Sequence, residues 1–184
     1  MRGQAQMPAE KLKTAPSIKT PRLILRAHAL ADFPDSFAMW SDPGVARFIG
    51  GQPSTEEESW HRFQRYPGHW ALMGFGYWLI EETTTGQFAG EMGFLEGKRP
   101  LSPGFDGAHE IGWALMLHAQ GKGYATEAVA AALAWHDERF GRVRTTCMIA
   151  PENAPSIRVA EKAGYAQYAQ TTYKGNPTLL FERR

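Results

Sequence analysis

The sequence predicts an α/β domain of the α+β kind, with a central mixed β-sheet flanked by helices. Three observations carry that prediction. Strand-like and helix-like segments interleave along the chain instead of separating into blocks, which calls for a sheet covered on its faces. The 184 residues are 43% hydrophobic, enough for one sizeable core. No internal repeat, low-complexity segment or linker marks a second unit, so residues 21–184 read as one domain behind a flexible leader, residues 1–20.

The elements follow in order. Arg22 to Arg26, Arg-Leu-Ile-Leu-Arg, reads as a short strand set off by Pro21. Asp32 can cap a helix carrying Phe33, Phe37 and Trp40, which ends before Pro43 and Gly44. Thr55 with Glu58 makes a capping-box pattern for a second helix reaching Tyr66, with Pro67 and Gly68 as its stop. Phe75–Glu82 and Phe88–Leu95 form a hairpin around Gly86. The proline- and glycine-bearing stretch Gly97–Gly107 is a loop, long enough to be functional or mobile. A strand over Ala108–Leu117 leads through Gly121 and Gly123 into a helix over Tyr124–Arg139, whose Ala128, Ala131 and Ala132 offer a close-packing face. Val143–Ile149 is a strand, Asn153 starts a short helix to Ala163, and strands over Tyr165–Thr171 and Thr178–Arg183 finish the chain.

Composition narrows the function. The formal charge of +1, from 20 basic and 19 acidic residues, gives no global attraction to nucleic acid or to an anionic membrane, so neither is an expected partner. Cys147 is the only cysteine, which rules out an intrachain disulfide and a cysteine-rich metal site and favours a reducing compartment. Residues 1–20 lack the apolar centre of a secretory signal, and no apolar run has membrane-spanning length. A cytoplasmic location is the expectation.

The segment from His109 to Glu127 is the most informative. A strand delivers the chain to a turn with two glycines, and a helix starts at once. Glycine allows close approach to the backbone, and the first-turn N–H groups and helix dipole favour an anion such as pyrophosphate. Lys122 adds a cation nearby. A glycine turn before a helix is also common as plain structure. Neither a nucleotide-triphosphatase loop nor a dinucleotide fingerprint is present.

This segment resembles the acyl-CoA loop of the GNAT N-acetyltransferase superfamily, Gln/Arg-x-x-Gly-x-Gly/Ala, here on Gln120, Gly123 and Ala125. Pro21-Arg-Leu-Ile-Leu-Arg26, Gly76-Tyr-Trp78 with Gly86, His109-Glu-Ile-Gly-Trp113, Asn153-Ala-Pro-Ser156 and Glu161-Lys162-Ala-Gly164-Tyr165 extend the resemblance over most of the chain. They are most similar to the RimJ/RimL-type branch. The resemblance implies a three-layer fold whose sheet is splayed into a V between the strand ending near Leu117 and the one starting at Val143. It implies acetyl-CoA in that gap as co-substrate, with no metal. Backbone groups of Met116, Leu117 and His118 would meet the pantetheine arm, and Gln120, Gly121, Lys122, Gly123, Tyr124 and Ala125 the pyrophosphate. Asn153 and Ser156 would lie across the cofactor, near its thiol end.

Acetyl transfer needs a positioned amine, a proton acceptor, an oxyanion site and a proton for the leaving thiolate. The resemblance makes Glu110 the preferred base, acting through water, with a structural or substrate-orienting carboxylate as the other reading. Glu110 lies six residues before Met116, roughly 20 Å along a straight strand, so a bend or water chain would have to close that distance. Ser156 is the second catalytic candidate, with helix capping as its plain role. The chain departs from the family where many members carry a tyrosine acid seven residues after Asn153: Ala160 stands there. Met148 likewise occupies the position of a glutamate used by ribosomal-protein S18-type enzymes. Cys147, without an adjacent histidine, reads as packing. His109 should face away from Glu110, and the remaining histidines lack metal-ligand spacing. The expected function is direct transfer of acetyl to a primary amine, of a protein N-terminus or a small molecule, in a ternary complex. The alternative is a catalytically inactive acyl-CoA-binding or interaction module. A homodimer is left open.

Overall fold

The computed structural model describes residues 11–184. Strands β1 (Ile18–Lys19) and β2 (Leu23–Arg26) are followed by helices α1 (Phe33–Trp40), α2 (Pro43–Ala46) and α3 (Glu56–Met73). Then come β3 (Tyr77–Glu82), β4 (Phe88–Leu95), β5 (His109–Leu115), α4 (Tyr124–Phe140), β6 (Thr145–Ile149), α5 (Ala154–Lys162), β7 (Ala166–Tyr173) and β8 (Asn176–Arg183). The strands form one mixed sheet in the order β1-β2-β3-β4-β5-β6-β8-β7. Every neighbouring pair is antiparallel except β5 and β6.

The two faces are covered differently. Met39, Trp40 and Val45 from α1 and α2 pack on Leu79, Phe88 and Ala114. The larger core sets Ala128, Val129, Ala132 and Leu133 of α4 against Trp78, Ile80, Met92, Ile111 and Leu115. Alanines on α4 let it approach the sheet closely, which the small-residue face predicts.

Three boundaries depart from the sequence expectation. α3 does not stop at Pro67 but continues to Met73 and is closed by Gly74 at φ 77°. The reason is tertiary: Trp70 is 2% exposed, and its indole donates to Tyr77 O at 2.8 Å. Burial of one tryptophan outweighs the donor that Pro67 removes. α2 forms although Pro43 and Gly44 read as a stop, because the Asp42 side chain accepts from Gly44 N at 2.7 Å and Pro43 suits a first helical turn. Of the leader expected over residues 1–20, residues 1–10 lie outside the described part. The rest is folded in: Ala15 is buried, Pro16 O accepts from the Trp78 indole at 2.8 Å, and β1 pairs with β2. Apolar contact at Ala15 and Ile18 draws this segment onto the sheet.

Candidate functional site: the fork between β5 and β6

The two parallel strands pair over only two rungs, His109 with Thr145 and Glu110 with Thr146. Beyond them β5 stays in unbroken register with β4 to Leu115, and β6 stays with β8 to Ile149. The sheet is therefore split from Ile111 onward, and each strand turns to the gap a backbone edge that has no strand partner. Met116 N–H donates to Ala89 O at 3.0 Å, towards β4. Alternation along the strand then turns the backbone groups of Trp113 and Leu115 towards the gap, where the Leu115 carbonyl already accepts from Gln120 Nε2 at 3.0 Å. This alters the sequence expectation. Met116 is committed to β4 through its N–H, and its carbonyl accepts from Ala119 N at 2.9 Å, so the open edge belongs to its two odd-numbered predecessors. Leu117 and His118 follow in an exposed 3-10 turn.

That edge leads into the glycine turn. Gln120, Gly121, Lys122 and Gly123 are exposed, and both glycines have positive φ, 74° and 80°. The first main-chain bond of α4 runs from Glu127 N to Gly123 O at 3.1 Å, so the N–H groups of Tyr124, Ala125 and Thr126 precede it and form the donor end of the helix. Arg22, which sequence reasoning placed only in a strand, braces this turn. Its guanidinium donates to Lys122 O at 2.8 Å and to Glu127 Oε2 at 2.7 Å, and lies 4.9 Å over the Tyr124 ring. Lys122 Nζ is 3.3 Å from Glu82 Oε1, so its charge is already shared with a carboxylate.

Across the gap, Asn153 caps α5, its Oδ1 accepting from Ser156 N at 3.2 Å. Ser156 Oγ accepts from the Trp113 indole at 3.3 Å. Trp113 thus spans the fork from β5 to α5, a link that only the fold reveals.

Glu110 sits at the apex, one residue before the split, and is 4% exposed. Arg99 holds both its oxygens, Nε to Oε2 at 2.6 Å and Nη2 to Oε1 at 3.0 Å. Burial pushes the Glu110 carboxyl up, against the opposing pull of Arg99. The unbroken register of β5 means no bulge shortens the run from Glu110 to Met116. The roughly 20 Å of straight strand measures the length of the open edge, with Glu110 at its closed end. Glu110 and Ser156 are not brought together. Glu110 and Gly112 share one face of β5, whereas Trp113, which Ser156 touches, is on the other.

Arg99 enters from the loop 97–107, which is fastened down. Arg99 Nη1 donates to Tyr173 Oη at 2.9 Å, Thr171 Oγ1 to Ser102 O at 3.0 Å, and Arg144 Nη1 to Phe105 O at 2.9 Å. On the Glu110 face, farther into the sheet, Glu91 is fully buried. It accepts from Ser36 Oγ at 2.6 Å, Trp40 Nε1 at 2.9 Å and Tyr66 Oη at 2.5 Å. His109 faces the opposite side and bonds His136, Nδ1 to Nε2 at 2.8 Å. Cys147 is 1% exposed and burial pushes its thiol up, which keeps it a packing residue. Ala160 is fully buried in the core, so α5 delivers no hydroxyl from that position. Among the described residues no group of three or more His, Cys, Asp or Glu is arranged to hold a metal ion.

An antiparallel sheet split at its one parallel pair, with the split leading to a helix donor end, is the feature that decides kinship. The model of the acetyltransferase (GNAT) domain family matches residues 22–166. The chain belongs to the GNAT family. The uncharacterized Bacillus subtilis (strain 168) protein YkkB is 31% identical over 173 residues, covering 90% of this chain and 94% of its own length. A solved GNAT-family structure from Bordetella pertussis is 35% identical with a TM-score of 0.82, covering 92% of this chain and all of that one. A RimL ribosomal L7/L12 α-N-protein acetyltransferase in complex with coenzyme A shares the fold, at TM-score 0.73 and 18% identity over 91% of this chain and 97% of that one. The two αL glycines, the first-turn donors of α4 and the open edges of β5 and β6 fit a ligand with an anionic head and an extended amide-bearing arm.

Proposed function

We propose that this GNAT-family chain is an acetyl-CoA-dependent N-acetyltransferase that moves acetyl directly to a primary amine in a ternary complex. The carrying observation is the split of β5 from β6 after two rungs, opening onto the donor end of α4. Gly121, Gly123, Tyr124 and Ala125 would hold the pyrophosphate through backbone N–H groups, with Gln120 and Lys122 alongside. Trp113 and Leu115 would offer the pantetheine arm a strand edge on one side, and Asn153 and Ser156 would line the other. Acetyl-CoA supplies an acyl carbon activated as a thioester. The net reaction forms one C–N bond, breaks one C–S bond and moves one proton from the amine to the sulfur.

The chain's own part is positioning and proton handling. Glu110, clamped by Arg99, acts on the amine through water if it acts as base. The clamp equally suits a carboxylate that orients the acceptor. Ser156, at the α5 side of the fork, would bond near the thiol end. The acceptor is a protein N-terminus or a small-molecule amine, with similarity to the RimJ/RimL branch favouring an α-amine, and the setting is cytoplasmic.

The test is calorimetry with acetyl-CoA on the wild type and on Gly123→Glu, followed by an amine screen with cadaverine, glycinamide, kanamycin and a serine-terminated tetrapeptide. One-site micromolar binding, lost in the variant, is expected. The new side chain meets a positive φ and brings a carboxylate to the pyrophosphate donors. Folded wild-type protein that binds no acetyl-CoA overturns the reading. Binding without turnover of any acceptor favours the inactive module.

A further inference from the structure

Ala160 is buried in the core and brings no hydroxyl to the fork, yet a phenol reaches β5 from elsewhere. Tyr77 of β3 is in register with Gly93 of β4, and Gly93 with Gly112 of β5. The two glycines put no side chain on that rung, so the Tyr77 ring can extend across β4. A Cβ built on Gly112 would lie 2.2 Å from Tyr77 Oη. The hydroxyl thus rests directly on Gly112, two residues beyond Glu110 and within the split part of β5. Its ring is fixed by stacking on Tyr66 at 5.2 Å.

Three further observations concern polarity. Tyr77 Oη has no hydrogen-bond partner among the described residues, and it is not one of the sealed-in orphan atoms, so it opens onto accessible space. Burial and the charge of Glu110 push the phenol up, so at neutral pH it is a hydroxyl, able to donate and to accept. Thr146 Oγ1, on the β6 residue in register with Glu110, is fully buried with no partner. Register puts Thr146 on the same face as Glu110, Gly112 and the Tyr77 ring. Two unpartnered hydroxyls therefore flank the apex of the fork on the face opposite Trp113 and Ser156. Of the two, Thr146 Oγ1 is the buried one, and buried polar groups without partners are rare and call for an explanation.

We propose that the Tyr77 hydroxyl is the acceptor-side contact of this site: it hydrogen-bonds the attacking amine over Gly112 and aims its lone pair into the fork. This rests on the acetyltransferase reading above. The phenol oxygen accepts an N–H of the neutral amine while the nitrogen faces the acyl carbon. As the C–N bond forms and the C–S bond breaks, the surplus amine proton passes through water to the leaving thiolate, and Tyr77 itself ends the cycle protonated as it began. Gly112 is part of the device, because any side chain there would collide with the phenol.

The experiment uses protein labelled with 3-fluorotyrosine, with the Tyr77 fluorine signal assigned from Tyr77→Phe. That variant keeps the ring and its stacking on Tyr66. Acetyl-CoA is expected to shift the Tyr77 signal, and adenosine 3′,5′-bisphosphate, which lacks the pantetheine arm, is expected to leave it in place. Calorimetry on Tyr77→Phe is expected to give an unchanged acetyl-CoA Kd. With the amine that the screen selects, the same variant should lose at least tenfold in kcat/KM for the amine. A Tyr77 signal that stays fixed while acetyl-CoA binds overturns the inference and leaves the cofactor reading standing. So does an unchanged kcat/KM for the amine. No acetyl-CoA binding by the wild type overturns both.

Discussion

Arg99 and Glu110 show how one pair serves both the fold and the site. Glu110 is almost sealed from water, so its charge is tolerable only while Arg99 stays bidentate. Arg99→Ala is expected to lower unfolding stability by about 3 kcal/mol, because it strands a buried carboxylate, and urea denaturation measures it. Restored stability in the double variant Arg99→Leu with Glu110→Leu would attribute that loss to the stranded charge. The His109–His136 pair makes a second prediction. Burial, reinforced by the neighbouring His109, lowers His136 to about 4. The unfolded chain then binds more protons than the folded one between the ordinary value near 6.5 and about 4. Stability is full above that window and falls as the pH drops through it, by on the order of 2–3 kcal/mol. A pH series of urea midpoints checks this, and His136→Gln should flatten the slope. A wild-type midpoint constant across the window would contradict the assignment.

At the scale of elements, α3 carries a local conflict that tertiary packing resolves. Thr55 and Glu58 start it with reciprocal bonds, Glu58 N to Thr55 Oγ1 at 3.2 Å and Thr55 N to Glu58 Oε2 at 2.9 Å. Pro67 then removes a donor in mid-helix, yet Trp70 one turn on is buried against Trp78 and Trp135. Pro67→Ala should therefore stabilise the protein, by about 1–3 kcal/mol, read from the urea midpoint. An unchanged or lower midpoint would mean that the proline is accommodated without cost. α4 is the contrasting case, legible from its alanines and from the glycines that bound it, because its face and both ends are encoded locally.

For the whole molecule, the fork is a property of the sheet and of no single strand. Under the proposed function, the ligand lies between β5 and β6. Acetyl-CoA at one hundred times its Kd is accordingly expected to stabilise the protein by about 2.7 kcal/mol. Amide exchange should slow over residues 111–125 and leave β2 and β3 unchanged. Uniform protection throughout the chain would point to general stabilisation, with no ligand at the fork.

Read alone, the chain determined most of its elements, though not α2 or the end of α3, together with the position of the glycine turn and the family resemblance. Periodicity, caps and turn residues act over a few neighbours and leave their mark in local order. The candidate loop residues Gln120 to Ala125 were legible for that reason. Tertiary structure alone decided that Met116 turns to Ala89, that Arg22 braces the loop and that Trp113 reaches Ser156. It alone brought Arg99 to Glu110 and laid Tyr77 over Gly112. These contacts join residues far apart in the chain or depend on which face of a strand is turned to which neighbour. That is settled by register and burial across the whole sheet, where a one-residue shift would send every side chain to the opposite face.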